Sequence, residues 1–252
     1  MPAPTRLLRL LALLLLATVG PAEASDADAL WKLLHNHCVR NFVTSGSPAP
    51  CAEVDLPPDS PSGWVVLKDR DGATQYLVMP TQKITGIEDA AILAPGEPNF
   101  FAAAWAARKY FLAKIGHALP RSSISLAINS PYGRTQNQLH IHIDCVRADV
   151  AAALAPKLPQ IGAAWASLPL AGHAYRARRL DGADLSDNPF RLLADDPGVG
   201  PAGIGRHTLV VVAETFPDGR DGFVLLDDQV DVPIGDRASG EELQDHDCAI
   251  AR

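Results

Sequence analysis

Apolar and polar positions alternate most strictly over 138–145, where Leu139, Ile141 and Ile143 are apolar and His140, His142 and Asp144 are polar. Period two predicts a strand with one face in a core and the other lining a site, with about 7 Å between successive members of the polar row. That strand is predicted over 138–146, and the run 123–129 predicts its neighbour. Upstream, 64–68 and 75–79 are β-prone runs joined by Asp69-Arg-Asp71-Gly72, a hairpin signal. Between these two pairs, Pro98-Asn99 opens a helix. Phe101, Trp105, Leu112 and Ile115 keep its apolar stripe, and Gly116 stops it. Nearer the start, 27–43 reads as a helix carrying Leu30, Leu33 and Leu34, with Ser25 or Asp26 as N-cap, and 41–62 as a Pro- and Ser-rich loop.

The second half repeats this order more weakly. A strand is predicted over 173–180, a short helix over 188–194, and a hairpin from 207–214 and 222–228 turning at Asp218-Gly219 and Asp221-Gly222. It carries no second His-x-His, so a duplicated active site is not expected. The elements together predict an α+β protein. Its expected parts are an N-terminal helix and loop (25–62), a catalytic unit (63–148) and a C-terminal half packed on it (149–252).

Composition changes the picture at three points. A chain of 252 residues, 47% hydrophobic and 20% charged, has the make-up of a globular protein. A net charge of −7 and 6% aromatics argue against nucleic acid as a partner. Arg6 and Arg9, the apolar run 10–19 and Ala22-Glu-Ala24 form an export pattern, so 1–24 is expected to be a signal peptide or signal anchor, with the rest in the bacterial periplasm.

In that oxidising compartment four cysteines imply two disulfides. Of three pairings, Cys38–Cys51 and Cys145–Cys248 are expected: the first closes a local loop and the second ties the end of the histidine strand to the C-terminal tail. No Cys-x-x-Cys occurs, and His117, His173, His207 and His246 stand at no ligand spacing, so neither a metal nor a cofactor is expected. His35 and His37 fall on different faces of their helix and read as surface residues.

The turn ahead of the histidines brings together Asn129, Gly133, Arg134, Gln136 and Asn137. Small residues, side-chain amides and one guanidinium suit an anion. Beside it, an imidazole that is neutral near pH 7 can attack phosphorus and form an intermediate that water resolves. A metal site built on His140 and His142, and a binding protein without catalysis, stay open at this point.

The 125–145 stretch, SLAINSPYGRTQNQLHIHIDC, resembles the histidine-triad superfamily of nucleotidyl hydrolases and transferases, whose strand reads His-φ-His-φ-His with φ apolar. The closer resemblance is to the CDP-diacylglycerol diphosphatases, through GWVVLKD (63–69), QYLVMPTQKITGIED (75–89), PNFFAAAWAAR (98–108), YRARRL (175–180), FVLL (223–226) and QDHDC (244–248). It implies a histidine-triad-like antiparallel sheet, the second half being a degenerate copy of the unit.

The resemblance also implies an activity: water splits the pyrophosphate of CDP-diacylglycerol, a membrane lipid, to give CMP and phosphatidate at the inner-membrane surface. A soluble nucleotide diphosphate is the alternative substrate. Laid on without gaps, the pattern makes His142 the middle, nucleophilic histidine and His140 its companion, with Gln136 and Asn137 as donors to the phosphorus oxygens. A shifted register, counting Gln138 as the first position, makes the nucleophile His140. Asn129, Arg134, Lys83, Asp69 and Asp144 are the expected substrate contacts. Asp144 departs from the superfamily by standing where a third histidine is usual.

Overall fold

The computed structural model describes residues 26–252; the expected signal segment, 1–24, lies outside them. Ten strands form one antiparallel sheet: β1 (Glu53–Asp55), β2 (Trp64–Lys68), β3 (Tyr76–Pro80), β4 (Ile124–Ile128), β5 (Ile141–Val146), β6 (Ala166–Ser167), β7 (Arg176–Asp181), β8 (His207–Thr215), β9 (Asp221–Gln229) and β10 (Gln244–Asp245). The order is β1-β2-β3-β5-β4-β8-β9-β7-β6, with β10 on the end of β5. From the β4–β8 junction it reads alike in both directions: a strand pair (β4–β5 or β8–β9), then β3 or β7. The fold is α+β, with a large sheet and few helices.

Register assigns the two faces. His142 lies opposite Ala127, Ala127 opposite Val210, Val210 opposite Leu226 and Leu226 opposite Ala177, so these five share a face. The other face, with Ile141, Ile143, Leu126, Val211 and Leu225, is covered by helix α3 (Phe100–Ile115) and the short α5 (Pro189–Ala194). The Asn99 side chain caps α3 by accepting from Ala102 N at 3.2 Å, and Gly116 closes it with a φ of +85°. Phe101 and Trp105 are core residues of this layer.

The face that carries His142 is covered in three pieces. An N-terminal helical stretch of α1 (Ala29–Leu33), a π-helical turn (Leu34–Val39) and α2 (Arg40–Ser45) packs Leu34 and Cys38 over β2 and β3. Helix α4 (Ala148–Leu154), which the pattern had not singled out, covers Val212, Val224 and Val146. The C-terminal segment crosses β4 and β8 in a turn over Gly240–Leu243. The histidine row lies in the trough between the N-terminal stretch and that turn.

Both expected disulfides are formed, Cys38–Cys51 and Cys145–Cys248, with Cα separations of 5.5 and 5.2 Å. They fit an extracytoplasmic compartment. Among the described residues no helix is long and apolar enough to cross a membrane. Two local expectations change. The 41–62 loop holds strand β1, whose Val54 packs beside Val65 of β2. The helix start is Asp28, with no side-chain cap; Asp26 instead accepts from Asp28 N at 3.1 Å.

Candidate active site

His140 and His142 stand side by side on the covered face, ring centroids 4.8 Å apart and nearly perpendicular. Both are buried, at 8% and 4% exposure. Burial holds each imidazole below its ordinary pKa, His142 the further because His140 and His246 add their repulsion. Both rings are therefore neutral at neutral pH.

Their nitrogens are held differently. His140 Nδ1 lies 2.6 Å from the Gln138 carbonyl oxygen, which can only accept. The hydrogen is therefore on Nδ1, and the Nε2 lone pair is left free. Gln138 is itself fixed, its amide donating to the carbonyls of Pro80 (2.9 Å) and Gln82 (3.0 Å). His142 Nδ1 lies 2.5 Å from the Gln75 side-chain amide and 3.1 Å from Glu241 Oε1. The same amide nitrogen donates to Glu241 Oε1 at 3.3 Å, so Gln75 bridges the His142 ring to the carboxylate. His142 Nε2 is fully buried and without a partner among the described residues.

Glu241 is the hub of this network. Asn129 donates from Nδ2 to Glu241 Oε2 and accepts on Oδ1 from Glu241 N at 3.2 Å and Ser239 Oγ at 3.2 Å. One asparagine thus clamps the C-terminal turn to the end of β4. Behind His142, Gln244 Nε2 reaches Ser125 Oγ at 3.1 Å and the His142 carbonyl at 3.4 Å.

Asp144, next along the row, is fully buried. Its Oδ1 accepts from Thr74 Oγ1 (3.3 Å) and Cys145 N (2.9 Å), and its Oδ2 lies 2.7 Å from His246 Nδ1. Burial pushes the Asp144 carboxyl up, against the pull of His246. The hydrogen bond to Asp144 raises His246 in turn, so a charged pair is favoured. Asp144 orients a third imidazole, and both its oxygens are occupied.

The other expected site residues are spread around the trough. Arg134 is locked to Glu88 by a two-pronged pair, Nη1–Oε2 2.6 Å and Nη2–Oε1 2.5 Å, although its charge still acts on His140. Lys83 Nζ pairs with Asp28 at 3.0 Å. Gln136 is turned towards the N-terminal stretch, accepting from Leu30 N (3.1 Å) and donating to the Asp26 carbonyl (3.0 Å). Asn137 is exposed, its backbone N–H donating to Ala27 O at 2.6 Å. Asp69, at the end of β2, is close enough for its charge to act on His140 and His246. The structure thus brings His140, His142, Asn129 and Asp144 to one site, whereas the Asp69 side chain accepts from Asp71 N at 3.2 Å in the hairpin turn. The side chains of Gln136 and Lys83 are occupied by the N-terminal stretch.

Glu241, Gln75 and His246 were not singled out by sequence. Gln75 and His246 fall inside two of the family-like blocks, which was their only signal. Glu241 lies outside every block and reaches His142 only because a tail about a hundred residues later folds back over β4.

The comparisons with known proteins agree over nearly the whole chain. The family model described as CDP-diacylglycerol pyrophosphatase matches residues 25–252. The chain belongs to that family. A curated relative, the CDP-diacylglycerol pyrophosphatase of Yersinia pestis, is 44% identical over 249 residues, covering 97% of this chain and 93% of the relative. Membership makes the protein a hydrolase, and its disulfides match the extracytoplasmic setting read from the N-terminal pattern.

Proposed function

We propose that the protein hydrolyses the pyrophosphate of CDP-diacylglycerol to CMP and phosphatidate, with His140 as the nucleophile. The gapless register favoured His142; the hydrogen bonding favours its neighbour. A nucleophilic imidazole needs one nitrogen held by an acceptor and the other free and reachable. His140 has its Nδ1 on the Gln138 carbonyl and, among the described residues, makes no hydrogen bond with Nε2, whereas His142 Nε2 is fully enclosed. That contrast is the observation that carries the assignment.

In this reading His140 Nε2 attacks the phosphorus of the CMP moiety and forms an N–P bond. The P–O bond to the bridging oxygen breaks, and phosphatidate leaves with the electron pair. Water then attacks the same phosphorus, the N–P bond breaks, and CMP is released with the imidazole neutral again. His142 faces the same space. With Nδ1 held by the Gln75 amide and Nε2 enclosed, its ring packs edge-on against His140 and positions it rather than touching the substrate, and the proton of the attacking water passes to solvent. Arg134 adds positive charge to the cradle from its pair with Glu88.

The palindromic strand order supports a histidine-triad-like unit (63–148) with a degenerate second copy in 149–252. Its shared sheet corresponds to two such units joined through β4 and β8. Tyr132, in the turn that follows Asn129, and Val232 and Ile234 are exposed apolar side chains. We assign this side to the membrane surface, where the diacyl chains of the substrate reside, which gives the enzyme a place in phospholipid metabolism outside the cytoplasm.

The test is purified protein with CDP-diacylglycerol in mixed micelles, followed for CMP release, with rapid quench to trap a nucleotidyl-histidine. The expected adduct is acid-labile and is localised by fragment masses to His140. His140→Ala is expected to lose several orders of magnitude in rate. An adduct on His142, or an active His140→Ala enzyme, would overturn the assignment. Absence of CMP release would overturn the function.

A further inference from the structure

A second cluster lies on the same face of the sheet, on the other side of the β4–β8 junction. His173 precedes β7, Asp228 is on β9, and Asp236 and Glu242 come from the C-terminal segment. With β4 and β8 between them, β5 and β9 are three strand spacings apart, so the cluster sits roughly 14 Å across the sheet from the catalytic histidines. His173, Asp228 and Asp236 line a cavity of about 690 Å³ whose walls also include Arg176 and His207.

Three carboxylates converge on one imidazole nitrogen. His173 Nδ1 is 2.9 Å from Glu242 Oε1, 3.4 Å from Asp236 Oδ2 and 3.7 Å from Asp228 Oδ2. The ligand atoms of His173, Asp228 and Asp236 all lie within 4.8 Å of one another. Donors about 2.1 Å from a shared ion stand roughly 3.0–3.4 Å apart, so the set would draw together by up to about an ångström to close on one ion.

Neighbouring Asp227 gives the contrast. Its Oδ1 is 2.7 Å from His207, and its Oδ2 accepts from Arg176 at 2.9 and 2.5 Å, so a buried carboxylate here normally has its counter-charge. Asp228 is only 2% exposed, yet its Oδ2, aimed into the cluster, has no hydrogen-bond partner among the described residues. Tyr175 donates to Glu242 at 2.6 Å, which orders that carboxylate but adds no positive charge. A buried oxygen without a partner among three carboxylates is costly unless a cation completes the site.

We infer that His173, Asp228 and Asp236, with Glu242 beside them, bind one divalent cation of the Mn²⁺ or Zn²⁺ kind. One imidazole nitrogen with carboxylate oxygens suits these ions better than Ca²⁺ or Mg²⁺, which prefer oxygen alone. The site joins two ligands from the sheet side to two from the C-terminal segment. The ion therefore staples that segment down, and residue 241, next to ligand 242, is the one that reaches His142.

The test uses the whole purified protein, stripped with chelator and dialysed, then titrated with MnCl₂ by the loss of the free-ion electron paramagnetic resonance signal. ZnCl₂ is added as a competitor, and thermal unfolding is recorded in parallel. The expected result is one saturable Mn²⁺ per chain, displaced by Zn²⁺, with a rise in Tm. Asp228→Asn and Asp236→Asn, which keep shape and remove charge, are each expected to weaken Mn²⁺ binding at least tenfold. Circular dichroism reports whether each variant is folded. No saturable binding by the wild-type protein up to millimolar Mn²⁺ would overturn the inference. So would folded variants that bind as tightly as the wild type. Neither result bears on the hydrolase assignment, because the binding readout does not depend on turnover.

Discussion

Replacing Glu241 by Gln tests whether the C-terminal turn belongs to the active site. The substitution keeps size and removes the charge that faces His142 Nδ1 at 3.1 Å. A hydrogen bond to a charged group contributes about 1.5–3 kcal/mol, against about 1 for a neutral pair. Without the carboxylate, the Gln75 amide loses its charged acceptor, and the preference for the present placement of the His142 ring is weakened. If that preference acts fully in the transition state, the difference of about 0.5–2 kcal/mol corresponds to roughly a 2- to 30-fold fall in kcat. KM should change little, because Glu241 contacts no substrate in this reading. The assay is CMP release from CDP-diacylglycerol over a range of lipid mole fractions, with thermal unfolding to show that the Asn129 clamp on the turn persists. A Glu241→Gln enzyme within twofold of wild-type kcat would refute the reasoning and make Glu241 a packing residue.

Three further outcomes follow from the same geometry. Gly240 has no room for a side chain, because a Cβ there would meet Thr208 Oγ1 and Val210 Cγ2 at 2.7 Å. Gly240→Ala is therefore expected to lift the turn and lower kcat with a modest stability loss of about 1–3 kcal/mol, read from kinetics and urea unfolding. Cys248→Ser opens a link between residues 103 apart and is expected to remove about 4–5 kcal/mol of stability. It should also lower activity, since Cys145 ends the histidine strand; unchanged urea unfolding would contradict this. The pH dependence follows from the lowered pKa of His140 and His142. In the unfolded chain both protonate near pH 6.5, above their folded values. Their contribution to stability is thus present above about pH 6.5 and is lost as pH falls through the folded values. The rate should stay level through pH 6.5 and fall only below it, and a fall that begins above pH 7 would contradict neutral, buried rings.

The sequence by itself determined the elements that local chemistry specifies. Strict alternation around His140 and His142 marked a strand, although β5 starts only at Ile141 and is buried on both faces rather than half-buried. Asp-Gly between β-prone runs marked the β2–β3 hairpin, and Asn99 with Gly116 bounded α3, because caps and turns are decided by a few adjacent residues. The blocks spread along the chain were enough for the family, and the cysteine positions for both disulfides. What the pattern left out was decided between distant segments. Whether Gln136 meets a phosphate or the N-terminal stretch depends on Asp26 and Leu30, more than a hundred residues away. That His140 rather than His142 has Nε2 open depends on the Gln138 carbonyl, which takes the Nδ1 hydrogen of His140, and on the packing that encloses Nε2 of His142. The acidic cluster at His173 arises from residues 173, 228, 236 and 242, with no shared spacing, brought together by strand pairing and a returning tail. Periodicity reports which face a side chain takes; only the tertiary fold decides what stands opposite that face, because such contacts join chain segments that no local pattern links.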